Sequence, residues 1–168
     1  MEPKFVNTTL QTEKVLREMQ FAALGKLRLW IYSIVTLFVA LTSALLFSSG
    51  VFDSAIILAL MCVLLILVGF VRPILAARQQ VKRNAILTGN NTPSPTKLKF
   101  YDDKLVTFNT AIEKEITFKY SQFKKLKKTK NLYLLALPER LYLMIDRKGF
   151  SVGDAEEFEK FIKEKLKK

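Results

Sequence analysis

Two long stretches of the chain contain no charged residue. The first covers 24 residues between Arg28 and Asp53, and the second covers 18 residues between Asp53 and Arg72. Because an α-helix rises about 1.5 Å per residue, 18 residues give roughly 27 Å of helix, close to the roughly 30 Å hydrocarbon core of a bilayer. The pattern therefore predicts two transmembrane helices, over residues 29–49 and 54–72.

A buried helix pair and a secretory signal are the alternatives. Both stretches lack a charged face, and a chain of 168 residues is too small to bury two such helices in a soluble core. A secretory signal would have a short basic start and a small-residue cleavage site, whereas the first stretch follows 28 residues that include acids. Both alternatives are therefore disfavoured.

The positive charges predict the orientation of the two helices. Lys and Arg side chains collect in the cytoplasmic loops of membrane proteins. The connection over residues 48–53 has neither, whereas both outer flanks have several: Lys26 and Arg28 before the first helix, and Arg72, Arg78, Lys82 and Arg83 after the second. We therefore predict an antiparallel hairpin that spans the cell membrane twice, with both termini in the cytoplasm.

Small residues recur at helical spacing along both predicted spans. They are Ser33, Thr36, Ala40 and Ser43 in the first span and Ala55, Ala59, Cys62 and Gly69 in the second. Such stripes let two helix backbones approach closely, so we predict that they form the packing seam of the hairpin. Apart from Arg72 at the end of the second span, neither span contains Asp, Glu, Lys, Arg or His, which a transporter or channel working alone normally needs within the membrane. The hairpin is therefore interpreted as an anchor.

The hydrophobic pattern changes from helical to strand periodicity after the second span. Pro73 can kink or end a helix, and residues 73–96 are predicted to form a juxtamembrane helix followed by a linker with the sequence TGNNTPSP. From residue 97 onward, apolar and polar residues alternate in short runs separated by turn formers. This alternation predicts a meander of antiparallel strands.

The end of the chain has the pattern of an amphipathic helix. Ser151 and Asp154 resemble a capping box, and apolar residues then recur three and four positions apart at Ala155, Phe158, Ile162 and Leu166. Residues 97–168 are therefore predicted to be a cytoplasmic α+β domain, in which an antiparallel sheet is capped by a C-terminal helix.

Three further features lie within residues 97–168: the aromatic and acidic turn Phe100-Tyr101-Asp102-Asp103, the strand that runs into Tyr120-Ser121-Gln122-Phe123, and Phe150 followed by an acidic helix start. Through these features the segment resembles the C-terminal domain of the YcxB-like proteins, a family of bacterial membrane proteins. The resemblance implies a pleckstrin-homology-like (PH-like) β-barrel or sheet that follows two membrane spans. It implies no catalytic residue, since the matching positions are mostly hydrophobic.

Residues 1–28 have two open interpretations. Residues 4–10 can form a strand and residues 12–27 a helix. The downstream segment supplies fewer strands than a PH-like barrel has, so the N-terminal strand could complete that domain, with the hairpin inserted within it. Alternatively, the N-terminal segment is an independent amphipathic helix that leads into the membrane.

Composition argues against catalysis. The chain has no histidine and one cysteine, which excludes the usual Cys and His zinc sites and the Ser-His and Cys-His nucleophiles. Its six glycines form no phosphate-binding motif, and the adjacent acids Asp102 and Asp103 are typical of a solvated turn. We therefore expect no enzyme activity, no metal and no cofactor.

The net charge of +12 is concentrated in part in a lysine run, which consists of Lys124, Lys125, Lys127, Lys128 and Lys130. Nucleic acid is not an expected ligand, because the chain has no recognisable nucleic-acid-binding motif. Three interpretations of the lysine run stay open: a charged sheet edge that discourages aggregation, a contact with anionic lipid headgroups, and a docking face for an acidic protein.

These patterns predict a membrane protein whose cytoplasmic PH-like domain is a binding or scaffolding module. The bilayer is its expected partner, and anionic lipid of the inner leaflet is the ligand under one of the three open interpretations of the lysine run. The alternative is an accessory subunit of a membrane transporter or signalling complex, in which the small-residue stripes contact helices of another membrane protein. A homo-oligomer is a further expectation.

Overall fold

The computed structural model of the chain describes residues 2–87, 89, 93, 95–109 and 114–167. Most of the predicted linker over 88–95 lies outside the described residues. The helices are α1 (Glu13–Leu24), α2 (Lys26–Ser48), α3 (Phe52–Ile66), α4 (Arg72–Leu87) and α5 (Ala155–Leu166). The strands are β1 (Phe5–Leu10), β2 (Pro95–Phe100), β3 (Lys104–Asn109), β4 (Lys114–Lys119), β5 (Lys125–Lys128), β6 (Leu132–Ala136), β7 (Tyr142–Asp146) and β8 (Phe150–Val152). The chain divides into two compact units, one of Met1–Met19 and Arg78–Lys168 and the other of Gln20–Ala77.

Two helices are long and apolar enough to cross a membrane. The first is α2, with 23 residues, and the second runs for 35 residues from Phe52 to Ile86. The second helix therefore continues well beyond the predicted end of the span at residue 72.

Pro73 does not end this helix. The backbone N–H of Arg72 donates to the carbonyl of Leu67, five residues earlier, so a π-helical turn, Leu67–Val71, joins α3 to α4. A proline inside a helix has no N–H to donate, and its ring crowds the carbonyl four residues before it. The π-helical turn changes the backbone hydrogen bonding just before the proline, and the helix continues without a break.

Helices α2 and α3 pack as an antiparallel pair along a narrow seam. Ser43 Oγ donates to the carbonyl of Ala55 over 2.8 Å, and Cys62 Sγ donates to the carbonyl of Thr36 over 3.7 Å. Gly69 lies against Tyr32, so that a Cβ added at Gly69 would be 3.4 Å from the ring. These contacts bring the two backbones together where small residues leave room for them.

Three of the predicted seam residues lie elsewhere. Ser33, Ala40 and Ala59 are exposed on the helix pair, and the Ser33 hydroxyl donates to the carbonyl of Leu29 in its own helix. A helix turns about 100° per residue, so the seam through Thr36 takes the half-buried Val39 and not its neighbour Ala40. The three-and-four spacing of small residues therefore combined positions from different sides of each helix.

The larger sheet has the strand order β4-β3-β2-β1-β8, and every neighbouring pair is antiparallel. Strand β1 lies inside it, because Phe5 pairs with Phe100 of β2 while Asn7 pairs on the other side with Phe150 of β8. Of the two interpretations of the N-terminal segment, the structure has the one in which the strand pairs with the sheet.

The smaller sheet has the order β5-β6-β7 and is also antiparallel. All five residues of β6 are buried. Over the described residues the two sheets stay open and do not close into a barrel. The sequence pattern missed β5 and β8, because KLKK contains one apolar residue and FSV is only three residues long.

Helix α5 covers the core formed by the two sheets. Phe158 is fully buried, and its ring centroid lies 4.7 Å from that of Phe100, 5.1 Å from Phe150, 5.6 Å from Phe5 and 5.7 Å from Tyr133. These rings come from β1, β2, β6 and β8. One helical residue therefore connects strands from both ends of the sequence.

The start of α5 differs from the predicted capping box. Its N-cap is Asp154, whose Oδ1 accepts hydrogen bonds from the backbone N–H groups of Glu156 and Glu157. Ser151 lies in β8, and its hydroxyl donates to the carbonyl of Val6 over 3.4 Å. Gly153, with φ of 74°, separates the strand from the cap. This left-handed conformation favours glycine and lets the chain turn into the helix.

Candidate functional site

Strand β5 divides the lysine run between two faces of the smaller sheet. Because side chains alternate along a strand, Leu126 and Lys128 lie on one face while Lys125 and Lys127 lie on the other. Leu126 packs against the core, and Phe123 just before the strand is buried. The five lysines therefore do not form one surface.

Lys128 is bound within the domain. Its Nζ donates to Glu159 Oε2 of α5 over 2.6 Å and lies 5.8 Å above the ring of Tyr133. Lys163 donates to the other oxygen of Glu159 over 2.6 Å. The hydrogen bond from Lys128, with that from Lys163, holds the pKa of Glu159 down to about 2. Lys128 therefore fixes α5 to the edge of the smaller sheet.

The Glu159→Gln variant is expected to lose stability at neutral pH but not at pH 2. Because the pKa of Glu159 is about 2 in the folded chain and ordinarily 4.5, its carboxylate stabilises the fold above pH 4.5. This contribution disappears as the pH falls from 4.5 to about 2. We expect a loss on the order of 1 kcal/mol at pH 7, because both lysines are partly solvated.

Urea unfolding of the full chain in detergent, followed by circular dichroism between pH 2 and pH 7, measures this difference. Glu164→Gln is the matched control, because Glu164 is an exposed acid on the same helix. If the stabilities of wild type and Glu159→Gln differ equally at pH 2 and pH 7, the ion pair does not anchor α5.

Lys127 is also engaged. Its Nζ donates to the hydroxyl of Tyr142 over 3.2 Å and lies 5.2 Å above the same ring. By contrast, Lys124, Lys125 and Lys130 are exposed and have no ion-pair partner among the residues that the structure describes. The lysine run thus offers three free ammonium groups to a ligand instead of five.

A second basic surface lies on the larger sheet. Its strands bury Leu98, Phe100 and Leu105 on one face and present lysines on the other. We call this second set the sheet-face lysines: Lys97 and Lys99 on β2, Lys104 on β3 and Lys119 on β4.

The strand register places like charges side by side on this face. Lys104 and Lys119 are directly opposite each other across β3 and β4. Such like-charge pairs destabilise a sheet. None of the sheet-face lysines has an ion-pair partner within the described part of the chain. Asp102, in the adjacent turn, is bound to Lys4 over 2.8 Å and to Lys165 over 3.5 Å.

One acid and several apolar groups share this surface. Glu115 lies opposite Phe108, which is half-buried, and Lys99 lies opposite Val106, which is buried. The surface therefore carries a net positive charge, and its lysines lie beside the apolar residues Phe108 and Val106. We call this surface the lysine face.

Sequence reasoning missed the sheet-face lysines. The alternation of Lys97 and Lys99 with Leu98 and Phe100 predicts a half-buried strand, but it does not show which other lysines lie beside these two. Lys104 and Lys119 join the surface only through the register of three strands, which one sequence does not give.

Residues 100–162 match the family described as YcxB-like protein, which confirms the predicted resemblance for this segment. The matched segment begins at the last residue of β2 and ends within α5, so it includes neither β1 nor the two apolar helices. The chain has no match among curated proteins or among solved structures.

Proposed function

From the YcxB-like match and the two apolar helices, we propose a membrane protein with two spans, both termini in the cytoplasm, and a cytoplasmic domain that binds anionic lipid headgroups. Helix length and composition support the spans. The flanking arginines and lysines support the orientation. The activity is binding, with no catalytic step.

We further propose that the domain is PH-like. Support comes from two antiparallel sheets and a C-terminal helix whose Phe158 and Ile162 are fully buried in the core. The strand β1, contributed from before the apolar helices, would complete the larger sheet of this domain.

The observation that carries the lipid proposal is the lysine face. Each Lys or Arg close to an anionic leaflet contributes roughly 1 kcal/mol, and the attraction falls off within a Debye length. Several lysines on one face can approach the leaflet together, whereas the lysine run is divided by its strand. Tethering by the apolar helices would raise the effective concentration of the face near the bilayer.

Amine labelling of the full chain in nanodiscs tests the proposal. In discs that contain phosphatidylglycerol, we expect the sheet-face lysines to react roughly fivefold more slowly than in phosphatidylcholine discs, which corresponds to about 1 kcal/mol per lysine. Salt at about 0.5 M should remove the difference, because it screens surface charge. Lys160, exposed on α5, is the internal control.

The variant Lys97→Gln with Lys99→Gln sharpens the test. It should reduce the protection of Lys104 in anionic discs, whereas Lys160→Gln should leave that protection unchanged. Equal labelling rates of Lys104 in the two kinds of disc would exclude the lysine face as a lipid contact. Protection confined to Lys124, Lys125 and Lys130 would assign the contact to the lysine run instead.

The accessory-subunit alternative is less favoured. Thr36, Ser43, Ala55, Cys62 and Gly69 are used within the chain, between α2 and the apolar helix that begins at Phe52. Only Ser33, Ala40 and Ala59 among the predicted seam residues are exposed, so they are the ones that foreign helices could contact.

A further inference from the structure

Strand β4 is an edge of the larger sheet. It pairs with β3 on one side, and over the described residues no strand pairs with its other side. The strand is exposed along most of its length, and Ile116 keeps 49% of its surface accessible. An exposed edge with an apolar residue is a template for pairing with another strand.

The outward-pointing backbone groups of β4 follow from the hydrogen-bond pattern. The carbonyl of Lys104 accepts a hydrogen bond from the backbone N–H of Tyr101, which follows β2. The backbone N–H and C=O groups of Lys104 and Val106 therefore point toward β2. Because backbone groups alternate in direction along a strand, those of Thr107 point toward β4, where Thr107 lies opposite Ile116. Glu115, Thr117 and Lys119 therefore present their N–H and C=O groups to the free edge.

Two copies of β4 can pair through these groups in antiparallel orientation with Thr117 opposite Thr117. This register places Glu115 of each copy opposite Lys119 of the other, and Ile116 opposite Phe118. Opposite charges and apolar side chains are then in contact twice, by symmetry. If Ile116 or Phe118 lay on the twofold axis instead, Glu115 of one copy would not lie opposite Lys119 of the other. The charges therefore favour the register centred on Thr117.

We propose that two copies of the chain dimerise through β4 with Thr117 on the twofold axis. The backbone of Thr117 would form two hydrogen bonds with its counterpart, and each Glu115 N–H would donate to the carbonyl of Lys119 in the second copy. The N–H of Lys119 keeps its bond to Gln122 Oε1, at 2.9 Å. Two five-stranded sheets become one continuous sheet.

The dimer also changes the charge around Lys119. In one copy Lys119 lies opposite Lys104, a destabilising like-charge pair. In the dimer the carboxylate of Glu115 from the second copy lies on its other side. Because directly opposed residues share a face, the lysine faces of both copies lie on the same side of the joined sheet. The dimer does not depend on lipid binding.

Disulfide trapping tests the register. In a Cys62→Ser background, Thr117→Cys is the only thiol of the chain. Opposed residues in a sheet have Cα atoms about 5.5 Å apart, which suits a disulfide. Mild oxidation of the full chain in phosphatidylcholine nanodiscs or detergent should give covalent dimers. Thr8→Cys, exposed on β1 inside the same sheet, should give none.

Charge exchange tests the specificity. Glu115→Lys or Lys119→Glu should each weaken the dimer about tenfold or more, because two attractive pairs become repulsive. The double variant Glu115→Lys with Lys119→Glu should restore the dimer, which also shows that the variants fold. Light scattering on a dilution series in detergent measures the mass of the protein.

Either of two results would overturn the dimer. One is a wild-type protein that stays monomeric while Thr117→Cys gives no covalent dimer. The other is a dimer whose strength the single charge variants leave unchanged, because it would use a different surface.

Discussion

Deletion of residues 3–10 is expected to abolish folding of the unit that contains both sheets. Strand β1 is hydrogen-bonded on both sides, so its loss leaves β8 without a partner and β2 paired only with β3. It also removes Phe5 from the aromatic cluster around Phe158. A strand inside a sheet cannot be trimmed in the way that an edge strand or a flexible terminus can.

The buried polar side chains of β1 increase this effect. Asn7 is fully buried, and its Nδ2 donates to the carbonyl of Asp146 over 2.7 Å. Thr9 donates to Asn7 Oδ1 over 2.9 Å and accepts from the backbone N–H of Asp146 over 2.9 Å. These bonds join β1 to β7 of the smaller sheet. Each buried partner left unsatisfied costs about 1–3 kcal/mol.

Limited proteolysis and circular dichroism of the full chain in nanodiscs measure the outcome. The deleted protein should be cleaved throughout residues 95–167, and a peptide of residues 2–12 added in trans should restore resistance. Thr8→Ala with Leu10→Ser, at exposed positions of the same strand, is the control that should fold. An unchanged melting midpoint for the deletion would show that β1 is dispensable.

The variant Phe158→Ala is expected to lower the free energy of unfolding by about 3–5 kcal/mol. Phe158 is fully buried among rings from four strands, so truncation leaves a cavity that both sheets would have to fill by moving. Because domains are stable by only about 5–15 kcal/mol, this loss is a large part of the total.

Phe161→Ala is the matched control for this prediction. Phe161 lies on the same helix and is half-buried, with its ring 5.3 Å from Phe5. Truncation of Phe161 should therefore lower the free energy of unfolding clearly less than truncation of Phe158. Urea unfolding of the full chain in detergent gives both values. Equal losses for the two variants would contradict the assignment of Phe158 as the centre of the core.

The sequence predicted the elements that depend on local pattern. The stretches without charged residues predicted both apolar helices, because length and composition are what make a helix able to cross a membrane. Alternation located the strands of the β2, β3 and β4 meander, because one buried face imposes a period of two. The family resemblance is confirmed over residues 100–162, which include β3 and β4 but neither apolar helix.

Contacts between residues far apart in the chain could not be predicted from a single sequence. Glu159 pairs with Lys128 across 31 positions, and nothing near either residue indicates the other. Seam residues depend on the rotation of each helix, which is why Ala40 was assigned to the seam while Val39 occupies it. Ser151 fitted a cap by spacing, but pairing of β8 with β1 placed it in a strand.

The position of β1 has a consequence for synthesis. Its six residues leave the ribosome before the two apolar helices do, whereas β2 and β8 follow only after those helices have been made. At about 5–20 residues per second, roughly 90 residues take about 5–20 s. During that interval FVNTTL has no partner strand, so the nascent chain carries an unpaired segment capable of aggregating. The larger sheet can therefore form only after both apolar helices have been synthesised, whatever its rate of folding once β8 has emerged.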